Sequence, residues 1–173
     1  MDLQKYIRTI PDFPKQGIMF RDITTLLKDE KAFAETIDIF YHHYKNKNIT
    51  KVVGIESRGF IIGAALAYRL GCGFVPIRKP NKLPAETIKK EYELEYGTDS
   101  IEIHKDAVQP NERILIHDDL LATGGTIAAA CSLLQQLKAE IVGLSFIIEL
   151  SFLNPRKRLG NYEIFSLIQY NAE

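Results

Sequence analysis

The chain has 173 residues, 46% of them hydrophobic, which is enough to bury one full core and short for two domains. Lys plus Arg and Asp plus Glu both number 22, so no net field recruits nucleic acid or an anionic membrane, and any anion site must be built locally. A charged first segment, MDLQKYIRTI, and the lack of any apolar run near the roughly 20 residues that span a bilayer lead us to expect a soluble, cytoplasmic protein.

In chain order, Asp2 is placed to cap a short first helix that the proline-bearing stretch Pro11 to Gly17 terminates. Phe33, Ile37, Phe40, Tyr41 and Tyr44 recur at helical spacing and predict a helix of about three to four turns. Lys51 to Ile55 reads as a buried strand, Glu56 to Gly59 as a turn, and Phe60 to Leu70 as an apolar helix ending at Gly71. Phe74 to Ile77 gives the next strand.

Lys79 to Gly97 is rich in Lys, Glu, Pro and Tyr and shows no clear apolar core, while Ile101 and Ile103 suggest a flanking strand. A strand–loop–strand excursion is expected there. Ile141 to Leu150 and Tyr162 to Ile168 supply two further apolar strands. Strands that alternate with helices and are apolar throughout predict an α/β fold with a mainly parallel sheet covered on both faces. Cys72 and Cys131 have no metal-ligand spacing and are read as buried thiols in a reducing compartment. His42, His43, His104 and His117 form no ligand pattern either, and His117 reads as structural.

The stretch Ile114 to Thr126, ILIHDDLLATGGT, carries the most chemistry. Three β-prone residues lead to Asp118 and Asp119 at the expected strand end. Ala122-Thr123-Gly124-Gly125-Thr126 then opens a helix whose apolar face holds Ile127, Ala130, Cys131, Leu134 and Leu137. Such a turn aims backbone N–H groups, two hydroxyls and the positive end of a helix dipole at an anion, and glycine there lets a phosphate approach the backbone. Neither a Walker loop nor a dinucleotide fingerprint is present. In a parallel sheet, ligands bind beyond the carboxyl ends of the strands, so the Glu56 turn and the Asp118 loop should share one cleft.

Asp118 to Thr126 resembles the phosphoribosyl-diphosphate signature of the type I phosphoribosyltransferases, in the form found in the adenine-specific members. The resemblance extends in the family's order through Pro11-Asp12-Phe13-Pro14, Phe20-Arg21-Asp22-Ile23-Thr24, Glu56-Ser57-Arg58-Gly59-Phe60 and Leu94-Glu95-Tyr96-Gly97. It implies one phosphoribosyltransferase domain over 1–173, with a base-site hood at 1–30 and a mobile lid at 79–103. The implied reaction joins adenine to phosphoribosyl diphosphate, giving AMP and diphosphate, with Mg2+ bound mainly through the substrate. A homodimer is implied as well.

On this resemblance Ala122, Thr123, Gly124, Gly125 and Thr126 cradle the 5-phosphate, while Asp118 and Asp119 face the ribose and its developing cation. Glu56, Ser57 and Arg58 form the diphosphate loop, with Arg78, Lys79 and Lys82 as further diphosphate contacts; a solvated basic turn is the other reading of those three. Met19, Phe20 and Arg21 hold the base, with Phe20 stacking on it and Leu153 closing the opposite face. Glu95 and Tyr96 are the catalytic pair of the lid, Glu95 exchanging a proton with the purine; alternation of Glu91, Glu93 and Glu95 also fits a solvated strand. Two rivals remain: the same transfer to hypoxanthine, xanthine or orotate, and a phosphoribosyl-diphosphate sensor that binds nucleic acid. No nucleic-acid or membrane partner is expected.

Overall fold

Chain order begins with a single 3₁₀ turn, Leu3–Tyr6, in the computed structural model, which describes residues 1–94 and 97–173. Asp2 does not cap this turn with its side chain: the carboxylate faces Lys5 at 3.7 Å, and the Asp2 carbonyl accepts the Lys5 N–H. Two short antiparallel strands follow, β1 (Arg8–Ile10) and β2 (Phe20–Asp22), a pairing that the proline-rich turn between them hid from the sequence pattern. The short helix α1 (Thr24–Leu27) leads to α2 (Glu30–Tyr44), where the Asp29 carboxylate accepts the N–H groups of Lys31 and Ala32. Helix α2 buries Ala32, Thr36, Phe40 and Tyr44 one turn apart, and Phe33, Ile37 and Tyr41 flank that stripe half-buried.

Strand β3 (Lys51–Ile55), helix α3 (Gly59–Leu70) and strand β4 (Gly73–Ile77) lie where the apolar runs place them, and α3 ends at Gly71 in the left-handed region, φ 69°. Next, β5 (Thr87–Glu93) and β6 (Thr98–His104) pair antiparallel from Thr87–His104 to Glu93–Thr98. The expected polar excursion is therefore a regular hairpin. Its apolar residues, Ile88 and Tyr92, are separated by three charged ones on β5, which made the stretch look coreless; with buried Ile101 and Ile103 they pack toward α4.

Strand β7 (Arg113–Leu121), helix α4 (Gly125–Gln136), β8 (Glu140–Leu150) and β9 (Ile164–Tyr170) complete the fold. The central sheet runs β4-β3-β7-β8-β9, all neighbours parallel. One face packs Val52 and Leu115 against Ile62, Leu66, Phe40 and Tyr44 of α3 and α2. The other packs Val53, Ile55, Ile114 and Ile116 against Ile127, Ala130 and Leu134 of α4 and against the hairpin. Cys131 is buried there, its thiol pushed up to about 12 by burial, whereas Cys72 is only half-buried.

Beyond β3 the chain moves outward to β4, and beyond β7 it moves the other way to β8 and β9. The topological switch thus lies between β3 and β7, where their carboxyl ends open a crevice. Strand β7 does not stop before the acids. The eleven-residue β8 keeps it paired through Leu121, while its β3 partner ends at the Gly54–His117 pair. Asp118 and Asp119 are therefore strand residues with one open edge, and the turn after β3 fills that edge.

Candidate active site

The turn after β3 begins with a cis Glu56–Ser57 peptide and delivers Arg58 to the start of α3. The Arg58 Nε lies 2.7 Å from an Asp119 carboxylate oxygen, and its guanidinium sits 5.2 Å from the centre of the Phe20 ring. Gly59 lets this turn close on β7: a Cβ there would lie 2.9 Å from the His117 carbonyl and 3.0 Å from an Asp118 oxygen. Alternation along β7 separates the acids. Asp119, 4% exposed, turns to Arg58, while half-buried Asp118 lines a small cavity with Glu56, Lys79, Tyr92 and Thr126. Burial and the neighbouring Asp119 charge push the Asp118 carboxyl well above its usual range; burial also raises Asp119, against the pull of Arg58.

Ala122, Thr123 and Gly124 connect β7 to α4, with Gly124 at φ 85°. Among the described residues no side chain caps this helix start, so its first N–H groups face the cleft with the positive end of the dipole. Arg58 and the run Asp118 to Ile127 line one cavity of about 190 Å³. A Cβ on Gly124 would come within 3.0 Å of the Pro155 carbonyl, and one on Gly125 would point at Arg158, Glu93 and Tyr92, toward the hairpin. Gly124 therefore lets the segment at Pro155 press on the loop, whereas a Cβ on Gly125 would make only ordinary contacts.

The basic residues after β4 gather on one carboxylate. Glu56 accepts hydrogen bonds from Lys82 Nζ at 2.7 Å, from Arg78 Nη2 at 3.1 Å and Nε at 3.2 Å, and from the Lys79 N–H at 2.9 Å. Burial alone would raise the Glu56 carboxyl, but these donors pull it down to about 2. The Lys79 ammonium instead pairs with Asp99 of β6 and donates to the Tyr92 hydroxyl at 3.2 Å, tying the hairpin to the crevice. Glu56 is thus an anion that gathers the cations around it.

Met19, Phe20 and Arg21 line a second cavity, of about 320 Å³, opposite Phe152 and Leu153. Leu120 and Ala122 line both cavities, so the two adjoin. Phe13 meets Phe20 edge-on at 5.1 Å, and the Arg21 guanidinium lies 4.0 Å over the Tyr170 ring, bonded to the Thr9 hydroxyl. Glu95 and Tyr96 lie outside the described residues.

Sequence reasoning missed the pairing of Glu149 with Arg156, a two-pronged contact of 2.7 Å on each oxygen, which is joined by the Ser166 hydroxyl at 2.7 Å. The signal was available: an acid inside the apolar run Ile141 to Leu150 needs a partner once buried. His117 is wholly buried, with its pKa lowered to about 3 by burial. Ser145 donates to the Ile116 carbonyl at 3.2 Å and so accepts from His117 Nδ1 at 2.9 Å, which leaves Nε2 bare and, among the described residues, without a partner. Its role is structural.

The family described as "Phosphoribosyl transferase domain" matches residues 22–171. The chain is 60% identical to an adenine phosphoribosyltransferase of Chloroflexus aurantiacus, over 98% of either chain. It is also similar to the crystal structure of adenine phosphoribosyltransferase from Thermoanaerobacter pseudethanolicus, with 54% identity, 98% of each chain covered and a TM-score of 0.95. The enzyme from Saccharomyces cerevisiae, crystallised with an imino-altritol bisphosphate and adenine, shares 42% identity over 96% of either chain at a TM-score of 0.92.

Proposed function

This chain belongs to the phosphoribosyl transferase family, and we propose that its two adjoining cavities hold the two halves of one reaction. It is an adenine phosphoribosyltransferase in activity: it transfers the 5-phosphoribosyl group of phosphoribosyl diphosphate to adenine, releasing diphosphate and salvaging the base as AMP. The observation that carries the assignment of parts is the sharing of Leu120 and Ala122 between the polar cavity at the start of α4 and the apolar cavity under Phe20. A nucleotide needs that arrangement, a phosphate end and a flat base end on one continuous surface.

The 5-phosphate lies against the open N–H groups of Ala122 to Thr126, with the Thr123 and Thr126 hydroxyls beside it. Adenine lies between Phe20 and Leu153, backbone groups of Met19 and Arg21 reading its edge. The ring nitrogen forms its bond to the anomeric carbon as the bond to diphosphate breaks, through an oxocarbenium-like transition state. Asp118 and Asp119 favour that cation electrostatically, and Arg58, held by Asp119 on one side and Phe20 on the other, meets the departing diphosphate. Arg78, Lys79 and Lys82 add positive charge to that end, with Ser57 beside them and Glu56 as their organiser rather than a ligand of the anion. Glu95 takes the proton that adenine gives up, and Tyr96 neighbours it on the lid formed by residues 79–103.

Magnesium suits this donor set through substrate oxygens. Among the described residues no three His, Cys, Asp or Glu side chains gather as a metal cage, and Asp118 and Asp119 are the carboxylates that would face an ion held by the substrate. Bound so, the ion would neutralise diphosphate charge. The hood at residues 1–30 and the lid belong to the same single domain. No helix among the described residues is long and apolar enough to cross a membrane. An exposed stripe on α3, Ile61 (45% exposed) and Tyr68 (88% exposed) with exposed Ala64 between them, supports a homodimer built on that face.

A panel of adenine, hypoxanthine, xanthine and orotate, each incubated with phosphoribosyl diphosphate and magnesium, tests the reading. AMP from adenine and little product from the others is the expected result. A preferred base other than adenine would overturn the base assignment. No nucleotide at all, with binding of RNA or DNA that fades with salt, would favour a sensor.

A further inference from the structure

Between the end of strand β8 and the segment that follows it, one ion pair closes a short loop. Glu149, 2% exposed, sits opposite Leu121 in the β7–β8 register, one residue before the phosphate loop begins. Arg156 returns from the 3₁₀ turn Pro155–Arg158 and grips both its oxygens at 2.7 Å, while the Ser166 hydroxyl fixes one of them from β9. The residues enclosed between the two partners line the base cavity and back onto the phosphate loop. Phe152 and Leu153 wall the base cavity, and the Pro155 carbonyl presses against Gly124 of the phosphate loop, close enough that a Cβ there would stand 3.0 Å away.

We propose that Glu149 and Arg156 are a positioning pair that fixes the distance between the base wall and the phosphate cradle, so that a nucleotide meets both at once. The pair touches neither ligand. It acts through residues 150–155, which it holds as one closed loop with Asn154 in the left-handed region at φ 52°. A two-pronged guanidinium–carboxylate contact restricts its partners in angle as well as distance, which a single charge contact does not. Because Arg156 is 49% exposed while Glu149 is buried, the arginine can be changed without opening the core, and the buried acid is the rigid anchor. The hydrogen bonds from Arg156 hold the Glu149 carboxyl below its usual range, so the contact is ionic at neutral pH.

This inference rests on the adenine reading, and its test separates the two. Calorimetry compares AMP, which spans both cavities, with ribose 5-phosphate, which needs the cradle alone. Arg156→Ala breaks the pair, and the double variant Glu149→Gln with Arg156→Gln breaks it without leaving a charge buried, in case the first does not fold. AMP affinity should fall ~10–100-fold in both folded variants, as for a misplacement of about 1 Å, while ribose 5-phosphate keeps its affinity. Arg156→Lys, with charge but no fork, should fall between. Unchanged AMP affinity in a folded variant overturns the proposal, as does an equal loss for the two ligands, which would place the effect on the cradle alone. If the wild-type protein binds ribose 5-phosphate but no AMP, the adenine assignment itself fails and this inference falls with it.

Discussion

Gly59→Ala tests whether the turn after β3 and the acids on β7 form one unit. The new Cβ would stand 2.9 Å from the His117 carbonyl oxygen and 3.0 Å from an Asp118 oxygen, against ordinary contacts that begin at 3.4 Å. Strand and turn must therefore separate by about 0.4–0.5 Å, and two of the three close neighbours are backbone atoms that cannot rotate away. Overpacking of this kind costs about 1–3 kcal/mol. For a chain of this size that is a fall in Tm of roughly 2–4 °C per kcal/mol. The same separation pulls Arg58 from Asp119, so kcat/KM for AMP formation should drop about 10–100-fold, more than the stability loss explains. Gly71→Ala is the control. It forces a side chain into the left-handed region, with nothing within 4 Å, at the far end of α3, and should cost about 1 kcal/mol with activity intact. If Gly59→Ala keeps wild-type kcat/KM, or if both variants lose activity alike, the coupling of turn and strand is wrong.

Asp118→Asn and Asp119→Asn should each lower turnover by about 10²-fold in a steady-state assay while adenine binding, followed by calorimetry, changes less; wild-type turnover in both would make the acids structural. Glu95→Gln should lower kcat on the order of 10²–10⁴-fold, with Glu93→Gln as the control on the same segment, and equal small effects would remove the proton-transfer role. For His117 the folded pKa is lowered to about 3, so below its unfolded value near 6.5 the unfolded chain takes up a proton that the native one refuses. Stability should therefore fall on acidification between those values, with this residue adding up to ~1.4 kcal/mol per pH unit. Denaturation of His117→Asn across that window should show a shallower dependence, and an identical slope would count against a neutral buried imidazole.

Apolar runs made the five-stranded parallel sheet legible, because a strand covered on both faces carries its signal in every residue. Lys51 to Ile55 is bounded in the structure as the sequence suggested, and α3 stops where Gly71 said it would. Strand β5 was harder to see, since Ile88 and Tyr92 are spaced by three charged residues and only one face meets α4. The strand β1 pairing with β2 is three residues long and its turn holds Pro11 and Pro14, so no period could form. The end of β7 was misjudged because carboxylates read as strand breakers, while the length of β8 decides where pairing ends. Within the cleft, Arg58 and the Asp118 loop were legible as motifs. Salt-bridge partners were not: Glu56 with Arg78 and Lys82, and Glu149 with Arg156, depend on which loops the fold brings together.

A crystal structure of the protein with AMP measures the central claim directly, that one cleft at the β3–β7 switch holds both ends of a nucleotide. The phosphate should lie within hydrogen-bond distance of the N–H groups of residues 122–126, the ribose beside Asp118 and Asp119, and the base between Phe20 and Leu153. AMP seated elsewhere, or bound with its base outside the cavity under Phe20, would contradict the account.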